Sequence, residues 1–101
     1  MFNWFNADAA KNLGHLLAEH IVSNLPQEMA MENDRFLIKK QEVLQYLTMK
    51  IYQFNLMQSM NFYKKVQFAK SFKLHLAGSG FQERAISNML GFVMSKLNKN
   101  S

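Results

Sequence analysis

The chain is expected to fold as an all-α domain, a compact bundle or orthogonal array of about four helices, on three observations. Residues 34–77 run for forty-four positions without a Gly or Pro. Apolar residues within and around that run recur every three or four positions, the period that keeps them on one helical face. The residues that cap or end helices gather at 24–26, 55–61 and 78–80, which divides the chain into helix-sized pieces.

The first helix follows Asn6, a good N-cap, with Asp8 placed near the positive end of its dipole. Ala10, Leu13, Leu17 and Ile21 share one face, with Ala9 and Leu16 beside them, while Lys11, Asn12, His15 and Glu19 face water. Gly14 weakens this helix and marks a close helix crossing. Pro26 excludes the helical region for the residue before it and so ends the helix. The next helix opens either at Pro26 or by a restart at Asn33.

Its expected seam is Leu37, Leu44, Leu47, Ile51 and Phe54, widened by Val43, Tyr46 and Met57. An unbroken helix over 34–77 would reach roughly 66 Å at 1.5 Å per residue, awkward for a small monomer. A turn is therefore placed at 55–61, where Asn55, Ser59 and Asn61 supply caps, leaving two helices folded against each other. The third helix takes Phe62, Val66, Ala69, Phe72 and Leu76 as its core stripe, which sends Tyr63, Phe68 and Leu74 elsewhere. Gly78 and Gly80 end it, and Ser79 with Gln82 has capping-box spacing for a last helix buried through Ile86, Met89, Leu90, Val93 and Leu97.

The 101 residues make one helical domain, with an aromatic segment at 1–5 and a polar tail at 98–101. A hydrophobic content of 49% against 19% charged residues excludes a disordered chain. Cysteine is absent, which removes disulfides, thiolate metal sites and thiol nucleophiles and suits a cytoplasmic location. The longest apolar run, 89–94, is six residues, so no membrane span is expected. Nor is a secretory signal expected at the N-terminus, which lacks a basic n-region and an apolar h-region and is interrupted by Asn3, Asn6 and Asp8.

Charge is unevenly placed. Residues 1–42 hold four basic and six acidic side chains, whereas 43–101 hold eight basic side chains and one acid, Glu83. Such segregation favours an acidic partner or a contact between copies. Lys64, Lys65, Lys70 and Lys73, interleaved with Phe68 and Phe72, are the candidate residues for an anionic partner such as nucleic acid. They do not share one helical face; Lys64, Gln67, Ser71 and His75 do line up as a polar stripe. Used as a DNA-reading helix, the last helix would offer only Arg84, Ser87, Asn88 and Lys96.

Catalytic, cofactor and metal sites are not expected. His15 and His20 are five apart and diverge around the helix; His15 and Glu19 share a face but have no third ligand nearby in sequence. An ordinary surface His–Glu pair is the simpler expectation. Ser79 between two glycines lacks the strand a nucleophile elbow requires.

The first functional expectation is a non-enzymatic protein-interaction module, an adaptor, inhibitor or homo-oligomer, whose partner is another protein or a second copy. Its candidate contacts are Phe2, Trp4, Phe5, Tyr63, Phe68 and Leu74, apolar side chains outside a single stripe. The alternatives are nonspecific nucleic-acid binding through the basic half and, more weakly, peripheral attachment to an anionic membrane surface through the N-terminal aromatics together with the basic half.

Overall fold

Among the described residues four helices form in the order α1 (Asp8–Asn24), α2 (Asp34–Met57), α3 (Phe62–Gly78) and α4 (Glu83–Lys99). They are seen in a computed structural model that describes residues 6–26 and 34–99. Phe2, Trp4 and Phe5, and the choice between Pro26 and Asn33 as the start of α2, lie outside the described residues.

Each helix end has a local cause. Asn6 acts one position earlier than an N-cap: its Oδ1 accepts from the Asp8 N–H at 3.1 Å, while Ala7 occupies the cap itself. Leu25 is extended (φ −126°, ψ 146°), as a residue before Pro must be, and that terminates α1. Asn61 is the N-cap of α3, its side chain accepting from the Lys64 N–H at 2.8 Å. The break expected within 55–61 therefore occurs, and α2 stops at Met57.

At the far end of α3, Gly80 takes φ 94° and the Phe81 N–H turns back to the Leu76 carbonyl at 3.1 Å. Ser79 belongs to this terminus, its Oγ donating to the His75 carbonyl at 2.9 Å. It is thus the C-cap of α3 and not the start of a capping box, because α4 begins only at Glu83.

The helices are arranged as a ring. α1 packs most closely on α3, α3 on α4, α4 on α2 and α2 on α1. Helices α2 and α3, joined by a four-residue connection, do not pack on each other. This corrects the expected hairpin: apolar faces on α1 and α4 occupy the places that α2 and α3 would have given each other. The result measures 49 × 24 × 18 Å with a radius of gyration of 13.7 Å, near the ~13 Å of a folded 100-residue domain.

One core runs through the ring. Leu17, Ile21, Val43, Leu47, Ile51, Phe68, Phe72, Leu76 and Val93 are its largest fully buried side chains. Phe68 and Phe72 stack with ring centroids 6.0 Å apart.

Gly14 sets the orientation of α3. A Cβ there would lie 2.7 Å from the Phe68 carbonyl oxygen and 3.1 Å from the Phe72 nitrogen, so the two backbones are nearly in contact. The face of α3 centred on Phe68 and Phe72 is consequently turned inward. Phe62 and Val66, expected in the core, are exposed, and Phe68, expected outside, is buried.

In α2 the seam is rotated by one position at its start. Phe36 and Val43 join Leu47 and Ile51 in the core, whereas Leu37 and Met57 are exposed.

Candidate functional site

Helix α2 carries apolar residues on two opposite sides. The inner side, Phe36, Val43, Leu47 and Ile51, is consumed by the core. On the outer side stand Ile38, Met49, Tyr52 and Leu56, respectively 64, 47, 56 and 69% exposed. With Glu42 and Gln45 they follow the spacing 38, 42, 45, 49, 52, 56, alternating steps of four and three. On an ideal helix these six positions fall within about 80° of one another. That spacing is how one helix presents a seam to another helix.

The borders of this face are well supported. Lys39 and Glu42 form an exposed pair at 4.0 Å. The Lys50 ammonium sits 5.5 Å from the centroid of Tyr46, and Tyr46 stacks on His20 of α1 at 3.6 Å. This stack fixes the rotation of α2 about its axis. Beside the face, Leu44, Thr48, Met49, Tyr52 and Phe92 of α4 line a shallow depression. Beyond Leu56 the exposed apolar surface continues over the corner through Met57 and Phe62, 85 and 79% exposed.

The interface residues expected from the sequence fare differently. Phe68 is sealed inside its own chain because α1 presses on that part of α3. Tyr63 is half-buried against the core. Leu74 is 72% exposed, but it stands on α3, away from the α2 seam. The four lysines are not gathered on one surface. The Lys65 ammonium donates to Asn98 Oδ1 of α4 at 2.9 Å, and Lys64 is half-buried near the capped end of α3. Lys70 and Lys73 border a separate depression with Leu74, Phe81, Glu83 and Ile86.

A polar cluster occupies the seam between α1 and α3. The His75 Nε2–H donates to Glu19 Oε2 at 2.6 Å, and the His15 and His75 rings meet edge to face with centroids 4.3 Å apart. The bond from His75 holds the Glu19 carboxyl below its usual range, opposed by some desolvation and assisted by the charge of His75 and by Ser23. Ser23 donates to the other carboxylate oxygen at 3.3 Å. Nearby, the Ser71 hydroxyl reaches across to the Lys11 carbonyl at 2.8 Å.

The pair that had no third partner in sequence thus acquires one from α3. Two signals pointed there: the polar stripe through Gln67, Ser71 and His75, and the small residue at position 14. The outer seam of α2 was also visible as a spacing, but it is interleaved in sequence with the inner one and periodicity alone counts both. Compared with family models, curated proteins and solved structures, the chain matches none.

Proposed function

We propose that the chain is a non-enzymatic interaction module that pairs with a second copy of itself through the outer face of α2. The observation that carries this reading is the exposed row Ile38, Met49, Tyr52 and Leu56 at alternating steps of four and three. A solvated helix would fill such positions with charge, and only Glu42 among the six is charged.

A second copy is favoured over an unrelated partner because the two ends of the row, Ile38 and Leu56, are both apolar and stand equally far from its centre at position 47. A two-fold axis crossing α2 midway along the seam brings the Ile38 end of one copy against the Leu56 end of the other. Ile38 then meets Leu56 at both ends and Gln45 meets Met49 in the middle, while Glu42, paired with Lys39 at 4.0 Å, comes opposite Tyr52. Met49 and Tyr52 are of the types enriched in such contacts.

Sedimentation equilibrium or light scattering tests the reading. The wild-type chain is expected to be a dimer, Met49→Asp or Leu56→Asp a monomer of unchanged helical content, and Leu74→Asp still a dimer. A wild-type monomer at about 100 µM, some hundredfold above a micromolar Kd, refutes it. So does loss of the dimer in Leu74→Asp alone.

A further inference from the structure

Helices α1 and α3 cross at Gly14 with their backbones almost touching, so side chains about a turn along from the crossing are forced together. His15 and Glu19 are four residues apart on α1, one above the other on one face, and His75 comes to them from α3. One ligand atom from each of the three lies within 4.8 Å of the others. We propose that His15, Glu19 and His75 form a binding site for a divalent transition-metal ion of the zinc class, one ion per chain, clamping α1 to α3.

The donor set decides the class of ion. Two imidazole nitrogens and one carboxylate oxygen suit zinc, cobalt or nickel, whereas calcium and magnesium prefer all-oxygen shells. Bonds of about 2.0–2.2 Å in a tetrahedral shell put neighbouring ligand atoms about 3.3–3.5 Å apart. His75 Nε2 and Glu19 Oε2, 2.6 Å apart, therefore have to open by somewhat under about 1 Å, and the wider separations, up to 4.8 Å, have to close by at most about 1.5 Å, for an ion to bridge all three. Side-chain torsions can supply this, since Glu19 and His75 keep 52 and 23% of their side-chain surface open and the crossing holds the backbones in place.

The surroundings fit the same use. The Ser23 hydroxyl donates to the Glu19 oxygen that His75 does not occupy, the kind of outer contact that orients a ligating carboxylate. With three protein ligands the fourth position stays open. His15 and His75 themselves line a depression shared with Lys11, Gln67, Lys70 and Ser71, where two lysines favour a small anion as the exchangeable ligand. When no ion is bound, the His75–Glu19 hydrogen bond holds the ligands near their places; an ion displaces that proton and takes both atoms.

Zinc chloride titrated calorimetrically into the full chain tests the site, run in parallel on wild type and on the Met49→Asp variant. Saturable binding of one ion per chain is expected in both, with affinity weakened by at least about tenfold in each of His15→Ala, Glu19→Gln and His75→Ala. His20→Gln, which removes a neighbouring imidazole outside the cluster, is expected to leave the affinity unchanged. Circular dichroism confirms that each variant is folded, and His75→Gln serves if His75→Ala is not. Cobalt(II) in place of zinc is expected to show the visible bands of a four-coordinate ion only while all three ligands are present. No zinc binding, binding indifferent to the three substitutions, or one ion per two chains with a zinc-dependent rise in mass of Met49→Asp overturns the site. None of these outcomes bears on pairing through α2.

Discussion

Gly14 and Gly91 sit in the middle of helices and have opposite reasons to be there. An added Cβ at Gly14 would meet the backbone of α3 at 2.7 Å, whereas at Gly91 it would meet nothing within 4 Å. Alanine relieves the helix cost of glycine at either position, by about 0.5–1 kcal/mol. At Gly91 nothing opposes that gain, and Gly91→Ala is expected to stabilise the fold by that amount. At Gly14 the clash is with a main chain that cannot rotate aside, and overpacking of that kind costs about 1–3 kcal/mol. Gly14→Ala is therefore expected to lower stability by roughly 1–2 kcal/mol in urea unfolding, net of the propensity gain. It would also spread His75 from Glu19.

His20 supplies a pH dependence of its own. Burial lowers its pKa from the usual 6.5, and the like charge of Lys39 on α2 lowers it further. The groups against it are the Tyr46 ring, stacked at 3.6 Å, and the Asn24 amide, 3.4 Å from Nδ1. A depressed pKa means that the unfolded chain takes up the proton first as pH falls. The stability contributed by neutral His20 is thus complete above pH 6.5, declines below it and is gone once pH has dropped through the folded value. Thermal midpoints measured from pH 8 to pH 5 are expected to fall more steeply in wild type than in His20→Phe, which keeps a ring against Tyr46. Equal slopes would remove His20 as the cause.

The boundaries of the helices were legible because caps act locally: Asn61, Pro26 and Gly80 do their work within a few residues of their own positions. Asn61→Ala removes the acceptor for the Lys64 N–H and is expected to cost about 1 kcal/mol in chemical denaturation, with the helical content of α2 unchanged. The rotation of each helix was less legible. In helix α4 Ile86, Met89, Val93 and Leu97 are buried as the spacing implies, and Leu90, expected with them, is half-buried against the core. α2 and α3 each offer two apolar phases, and the choice between them is made by another helix. In α3 the choice is made by Gly14, which turns Phe68 inward and leaves Phe62 at 79% exposure. In α2 it is made by α4 and α1, which take the Phe36–Val43–Leu47 side and leave the Ile38–Leu56 side to solvent. The His15–Glu19–His75 cluster joins residues 56 and 60 positions apart and was illegible for the same reason. Spacing along one helix shows where a side chain points, not what will be opposite.

At the scale of the whole molecule, the ring order leaves α2 as the helix with most to cover. Its sequence neighbour α3 does not pack on it, and one entire side faces outward along 24 residues. If two copies cover that side for each other, folding and pairing are linked, and stability must depend on concentration by mass action. The size of the effect follows from the enthalpy of unfolding. At about 0.7 kcal/mol per residue, a dimer of two such chains unfolds with roughly 140 kcal/mol, so a tenfold rise in concentration raises the midpoint by about 3–4 °C. Calorimetric scans of wild type across a hundredfold range are therefore expected to show an upward drift of several degrees, and scans of Leu56→Asp none. A carboxylate in the apolar seam makes pairing unfavourable, so the copies of Leu56→Asp stay apart and their midpoint does not move with concentration. A midpoint independent of concentration in both proteins would show that the outer face of α2 remains in water, and pairing through it would have to be abandoned.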